Sequence, residues 1–495
     1  MFVMLSNIDF NLIWQLILEW YWLPIFIIYV AVIVAILLGN GNPTKTKAWI
    51  MVIVAFPIGG IILYYFFGQN FKKENYFKIM DKKSSKKFAE TWNNFSSRHV
   101  QDFDEIEKRI GYQVKVFNYL NNTYTSLPML NNRVKLLING EQKFPLFLDA
   151  IKNAKHHIHL EYYIFEYDTI GKKVVDLLIE KANEGVEVRI TTDDFGSSKF
   201  NKIVQKKFKN TSIQFQSFLP VRFTSLANSN FRNHRKVLIV DGHLAFVGGI
   251  NISDKYINNQ HSELYWRDTA VMIEGDSVNL LQFKFWMDWQ MTEGKSFDVS
   301  NYDYMPITDP NIGNAIVGYS YTSPAADLQS GIDSLILAIY LAKKKVRLIT
   351  PYFIPSEEFV SALLIAVNRG VEVELILPKK GDSKIVQEAS FSFLKKFMKN
   401  GVQVYLYEKG FIHAKTVSID DDLAFIGTMN LDNRSFYINF EITSIIHDID
   451  LIQELNHQFD IDKLDSSILT HEMWKNMPIH KRAFASICRL LAPLL

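Results

Sequence analysis

The chain has 495 residues, 48% hydrophobic, 14% aromatic and 21% charged, with 54 basic against 52 acidic side chains. A composition this apolar, with only 23 Gly and 14 Pro and no long heptad run, excludes disorder, collagen-like repeats and a coiled coil. The one cysteine, Cys488, excludes an internal disulfide and a cysteine-based zinc site, and fits a reducing compartment.

The charge is unevenly spread. Residues 20–38 (WYWLPIFIIYVAVIVAILL) and 48–68 (AWIMVIVAFPIGGIILYYFFG) carry no charged side chain. Each run is long enough to cross a hydrocarbon layer of about 30 Å as a helix. Trp20, Trp22, Trp49, Tyr64 and Tyr65 stand near the ends, where amphipathic rings prefer the headgroup level. The short connector GNGNPTKTK makes the two runs antiparallel, so a membrane hairpin is expected over residues 1–70. A cleaved leader fits poorly, because residues 1–19 hold no Lys or Arg; a buried soluble hairpin is the other reading. A basic linker, 71–110, follows. Its stretch 71–87 sets Lys72, Lys73, Lys78, Lys82, Lys83, Lys86 and Lys87 against Glu74 and Asp81, whereas the intervening loop holds only Lys45 and Lys47. The positive-inside rule then places both ends of the hairpin, and everything after it, in the cytoplasm of a multi-pass cell-membrane protein. The linker lysines favour anionic membrane lipid.

From about residue 111 the chain reads as one α/β unit written twice, over 111–310 and 311–495. In the first half a strand-like VKLLING (134–140) precedes a helix-like FPLFLDAIKNAKHH (144–157) and a strand IHLEYYIF (158–165). In the second, SLILAIYLAKKK (334–345) precedes VRLITPYFI (346–354). A helix and strand follow in each: VVDLLIEKANEGVEVRITTD (174–193) and FVSALLIAVNRGVEVELILP (359–378). Gly185 and Gly370 fall where a left-handed helix cap is needed. Strands alternating with helices predict an α/β sheet in each half.

The strongest repeat comes next. HRKVLIVDGHLAFVGGIN (234–251) and HAKTVSIDDDLAFIGTMN (413–430) agree without gaps at 8 of 18 positions, mostly polar or small residues that a hydrophobic pattern would not reproduce. His and Lys two apart on a strand share one face, and the strand–turn–strand that follows ends on Asn. His234, Lys236 and Asn251 therefore meet at one sheet edge, as do His413, Lys415 and Asn430. Imidazoles, ammonium groups and amides gathered in this way suit a phosphate.

The duplicated H-x-K-x4-D with a downstream G-G-x-N or G-T-x-N resembles the phospholipase D superfamily. The two N-terminal spans, the run YWRDT at 265–269 and the terminal LLAPLL are similar to its bacterial cardiolipin synthases. That resemblance implies two phospholipase D-like α/β/α halves behind the membrane hairpin. Thr428 departs from the Ser or Gly more usual there but keeps a hydroxyl, and little consequence is expected. The resemblance also implies a mechanism with catalytic His234, Lys236, Asp241, His413, Lys415 and Asp420. His234 attacks phosphorus to give a phosphohistidine, and His413 protonates the leaving alkoxide and then deprotonates the incoming alcohol. Sequence symmetry alone does not fix which histidine does which. Lys236, Lys415, Asn251 and Asn430 would hold the phosphate oxygens in place of a metal, and no cofactor is expected. Asp241 and Asp420 fall at the hairpin turn, which points to a structural use. Asp268 and Glu441 stand 34 and 28 residues after their histidines in strand-like runs. They are candidates to orient the imidazoles, within their own half or across the pseudo-two-fold, with ordinary surface carboxylates as the other reading.

The implied reaction takes two phosphatidylglycerols to cardiolipin and glycerol. One phosphodiester is exchanged for another, so no nucleotide is required, and no G-x-x-x-x-G-K-[ST] loop is present. Water or another alcohol as acceptor would make it a phospholipase D or a different phosphatidyltransferase. Nucleic acid is not an expected partner, since no broad basic surface follows residue 87. Arg434 is a candidate headgroup contact. His156, His157 and His159 lack a partner at ligand spacing and read as helix-end and strand residues. The aromatics of EYYIF and TPYFIP suit an acyl path or plain core, and KRAFASICRLLAPLL (481–495) an interfacial helix or a core one.

Overall fold

The computed structural model describes residues 22–39, 43–68, 103–123, 126–220, 230–258, 264–293, 304–306, 308–309, 311–324 and 328–490, with isolated positions 19, 20, 90, 93, 97 and 326. The linker lysines of 71–87 lie outside them. The chain separates into two compact units, Met1–Asn70 with Arg222–Asn230, and the rest.

The first unit holds helices Trp22–Leu38, Pro43–Ala55 and Pro57–Leu63. The second apolar run is therefore two helices, not one span. Pro57 at the start of the third cannot donate a backbone hydrogen bond to the turn before it, so the helix breaks at Phe56 and restarts. Trp22–Leu38 has 17 residues, about 25 Å at 1.5 Å per residue. No helix among the described residues is long and apolar enough to cross a membrane. The apolar side chains Trp22, Ile25, Phe26, Ile27, Ile28, Val34 and Leu37 are nonetheless exposed.

In the second unit the described residues of the two sequence halves build one continuous fifteen-stranded sheet, where the sequence predicts a sheet in each half. The first half supplies β1 (Met129–Ile138), β2 (His157–Tyr162), β3 (Glu187–Asp193), β4 (Gln214–Phe218), β5 (Lys236–Val240), β6 (Leu244–Gly248) and β7 (Thr269–Gly275). The second supplies β8 (Ala315–Thr322), β9 (Lys345–Ile349), β10 (Glu372–Pro378), β11 (Gln403–Tyr407), β12 (Thr416–Ile419), β13 (Leu423–Gly427), β14 (Glu441–His447) and β15 (Ser466–Leu469). Outward from the centre the orders are β1-β7-β6-β5-β2-β3-β4 and β8-β14-β13-β12-β9-β10-β11-β15, so the halves are related by a pseudo-two-fold at the β1–β8 seam. That seam is antiparallel and shifts register between Met129 and Asn132. Asn132 bridges the irregularity, its amide donating to Met129 O (2.7 Å) and Ala315 O (3.2 Å) and its carbonyl accepting from Ser277 N (2.9 Å).

Helices cover the sheet. Phe144, Phe147 and Ile151 of helix Asn139–Asn153 and Val174, Val175 and Leu178 of helix Thr169–Asn183 pack on Ile158, Leu160, Val188 and Ile190. Burial of each such side chain contributes about 1.5–3 kcal/mol. Helix Phe103–Ile110, expected as linker, instead inserts Ile106 and Ile110 into the core of the second half with Ile332, Leu335 and Ile339. Gly185 and Gly370 carry φ values of 94° and 89° at their helix ends, the left-handed region that suits glycine.

The two motif aspartates belong to this scaffold. Asp241 accepts from the backbone N–H groups of Lys155, His156 and His157 at 2.8, 2.7 and 2.9 Å. Asp420 accepts from those of Lys343, Lys344 and Lys345, each at 2.8 Å. Both sit at the C-terminal end of β5 or β12, separated from their histidines by about 20 Å of extended chain. Asp241 and Asp420 each fasten the helix–strand loop beside them to the motif hairpin, the structural use that their turn positions point to.

Candidate active site

His234 and His413 lie just before β5 and β12, at the end of the sheet opposite the aspartates. Each is held by the other half. His234 N donates to Phe440 O (3.0 Å), next to Glu441, and His413 N donates to Arg267 O (2.7 Å), next to Asp268. Side chains follow the same crossing. His234 Nδ1 lies 2.9 Å from Glu441 Oε2 and 3.0 Å from Oε1. His413 Nδ1 lies 2.7 Å from Asp268 Oδ2. All four residues are buried. With Nδ1–H on a carboxylate, each imidazole keeps Nε2 for a substrate.

Alternation along the strand separates the chemistry from its support. His234 and Lys236 share a face, and Lys236 Nζ donates to His234 O (2.6 Å); Lys415 Nζ donates likewise to His413 O. Arg235, between them, pairs with Asp288 and Glu161 and donates from Nε to Glu441 O (3.3 Å). Arg267 is clamped by Asp462, Nε to Oδ1 at 2.9 Å. Removing one partner of such a buried pair typically costs about 3–5 kcal/mol.

The paired motifs differ at one instructive position. Thr428 donates from Oγ1 to Glu441 Oε2 at 2.6 Å, while a Cβ at the equivalent Gly249 would stand 2.2 Å from Asp268 Oδ1. Glu441 is one methylene longer and tolerates a hydroxyl beside it; Asp268 needs the space that glycine leaves. Gly249→Ala should therefore displace Asp268 and lower turnover by about tenfold or more. The check is kcat, with thermal melting to show that the fold survives.

Burial, with Lys236 close by, pushes His234 down to about 4 despite Glu441. Burial and Lys415 push His413 down to about 3 despite Asp268. Burial alone would raise the two carboxyls, but Lys415 and His413 hold Asp268 low, and His234 and Lys236 hold Glu441 low. Burial lowers Lys415 to about 8 and Lys236 well below its ordinary value. Near neutral pH the set is two neutral imidazoles, two carboxylates and two lysines that a bound anion would keep charged.

The asparagines are not equivalent. Asn251 is tied in, accepting from Ile164 N (3.2 Å) and donating to Tyr256 OH (2.6 Å). Asn430 is buried, and its Oδ1 has no hydrogen-bond partner among the described residues. Rings flank the histidines: Tyr163 is 4.8 Å from His234, and Trp266, Phe411 and Tyr256 are 5.7, 5.9 and 6.0 Å from His413. In the run EYYIF, Tyr162 and Phe165 are core while Tyr163 borders the site. In TPYFIP, Phe353 and Ile354 are core.

Sequence reasoning missed Lys143. It is buried, with Nζ donating to Tyr162 OH (2.9 Å) and to Ile250 O (2.7 Å), beside the Asn251 turn. Burial lowers it to about 7, opposed by Asp268. Its signal was a lysine on the apolar stripe of Phe147 and Ile151. Within the triple-histidine segment His156 is exposed while His157 and His159 are core: His157 Nε2 and His159 Nδ1 meet Gln282 Oε1 at 3.0 and 3.1 Å, and His159 stacks on Phe285. No cluster suited to a metal occurs among the described residues.

A family profile described as cardiolipin synthase, PLD-like domain, matches residues 147–289 and 335–463, over half of the chain and once per half. The chain belongs to the cardiolipin synthase family of the phospholipase D superfamily. A second profile, phospholipase D-nuclease N-terminal, matches residues 25–69. The cardiolipin synthase of Alkalihalophilus pseudofirmus is 34% identical, covering 95% of this chain and 92% of its own. Cardiolipin synthase 2 of Bacillus anthracis is 36% identical, covering 93% and 88%. Among solved structures, a phosphatidylserine synthase of Haemophilus influenzae superposes with a TM-score of 0.59 at 17% identity, covering 77% of this chain and all of that one. That likeness shows the shared fold of this cardiolipin synthase family member.

Proposed function

We propose that the protein is a membrane-bound phosphatidyltransferase that makes cardiolipin and glycerol from two phosphatidylglycerols through a phosphohistidine. The crossed His234–Glu441 and His413–Asp268 pairs carry this reading, because they give two equivalent imidazoles with Nε2 left for one phosphorus. Nε2 of His234 attacks the donor phosphorus. The P–O bond to glycerol breaks, and the departing oxygen takes a proton from His413. The terminal hydroxyl of the second lipid then gives its proton to His413, its oxygen attacks phosphorus, and the P–N bond breaks. Lys236, Lys415 and Asn430 hold the non-bridging oxygens, where charge builds up; the fixed contacts of Asn251 make it a weaker candidate for that work.

The substrate class follows from the relatives, whose names state cardiolipin synthesis. The exposed apolar faces of residues 22–38 and the matched N-terminal profile support a membrane hairpin over 1–70, and the lysines of 71–87 support a cytoplasmic side for the halves 111–310 and 311–495. Detergent-solubilised protein given phosphatidylglycerol alone, without nucleotide or added metal, should release cardiolipin and glycerol in equal amounts. Phosphatidic acid without cardiolipin would make it a hydrolase.

A further inference from the structure

The 179-residue offset of the repeat sets Lys255 opposite Arg434 and Ser253 opposite Asp432. The two cations have unlike surroundings. Arg434, on the His234 side, faces the carboxylates of Asp432 and Glu441. Lys255 is half-buried, and among the described residues no carboxylate lies within ion-pairing distance of it. Ser253, where the second half has Asp432, donates to Glu166 Oε2 (2.5 Å). The Lys255 ammonium stands instead 4.6 Å from the ring centre of Trp266 and 5.4 Å from that of Tyr256. These rings are also neighbours of His413, at 5.7 and 6.0 Å.

A cation over aromatic faces is partly desolvated, and its attraction for an anion is correspondingly less screened. The reaction proposed above brings an anion to this side. His413 handles both alcohols, so the acceptor hydroxyl must approach it. That acceptor is itself a phosphodiester, with its phosphate one glycerol away from the attacking oxygen. On that reading, we propose that Lys255, seated on Trp266, binds the phosphate of the acceptor lipid and so selects a phospholipid alcohol over water and free glycerol. The cation that its own half leaves without a carboxylate is the one that meets the second anion; Arg434, already compensated, has no such vacancy to fill.

Three products separate acceptor binding from donor chemistry in the full-length solubilised protein: cardiolipin, phosphatidic acid, and phosphatidylglycerol that has taken up labelled free glycerol. The exchange uses the same donor and a neutral acceptor. At sub-saturating phosphatidylglycerol, Lys255→Met should lower cardiolipin formation about tenfold more than glycerol exchange. The ratio of cardiolipin to phosphatidic acid should fall with it, and Lys255→Arg should restore most of the difference. Equal losses in both reactions, or cardiolipin at the wild-type rate in Lys255→Met, would overturn the inference alone. Wild-type protein that exchanges glycerol and yields no cardiolipin would overturn the functional reading and this inference together.

Discussion

His234→Ala should abolish cardiolipin formation, with a loss on the order of a thousandfold or more, and His413→Ala should lower it about 10²–10⁴-fold. The two losses differ in kind, and the leaving group reveals the difference. A phosphatidyl donor with a p-nitrophenyl leaving group departs without a proton, so it bypasses the acid and still needs the nucleophile. With that donor His413→Ala should release a burst of p-nitrophenol equal to the enzyme present, and His234→Ala should release none. The reverse pattern would exchange the two roles. Acidity supplies a second readout. The donor step needs His234 neutral and His413 protonated, one proton on the pair. Because the pair is held at about 4 and 3, the free enzyme lacks that proton near neutral pH and must take it up with the anionic substrate. For phosphatidylglycerol kcat/KM should therefore rise as pH falls from about 7.5 to 5.5, approaching tenfold per unit. For the p-nitrophenyl donor it should stay flat over that range. Above about 8 both should decline as Lys415 loses its proton.

The local chemistry of the site is legible in the sequence because it depends on short-range geometry. The H-x-K spacing puts both side chains on one strand face, and a two-strand hairpin returns Asn close to them. Asp268 and Glu441 stand out by their strand-like runs, but their crossed pairing depends on β1 and β8 meeting at the centre of one sheet. That contact is set by how two antiparallel edges fit, and no local pattern encodes it. The same long-range closure turns two expected sheets into one and draws helix Phe103–Ile110 onto the second half. Lys143 escapes notice because a lysine on a helix reads as solvated until its neighbours are known. Pro57, by contrast, was visible within the second apolar run, and its cost to helix continuity was the missed local signal.

The second large effect tests the crossing itself. Glu441→Gln and Asp268→Asn should each reduce kcat about 10²–10⁴-fold with little change in KM, by analogy with neutralising the orienting carboxylate of other histidine-based sites. Both oxygens of Glu441 are surrounded by donors: His234 Nδ1, Thr428 Oγ1 at 2.6 Å and Asn439 Nδ2 at 3.1 Å. A Gln amide turns one acceptor into a donor, so whichever way it lies, one of these contacts becomes unfavourable. The loss also reaches His234 through its proton, since Glu441 is the group that favours the imidazolium against burial. A positioning role predicts non-additivity. His234→Ala with Glu441→Gln should be no slower than His234→Ala alone, because a carboxylate with no imidazole to orient has no further work. His234→Ala with Asp268→Asn touches the other pair, and should lose whatever residual acid–base help His413 still gives. If Glu441 instead coupled to His413, the additive and non-additive combinations would change places.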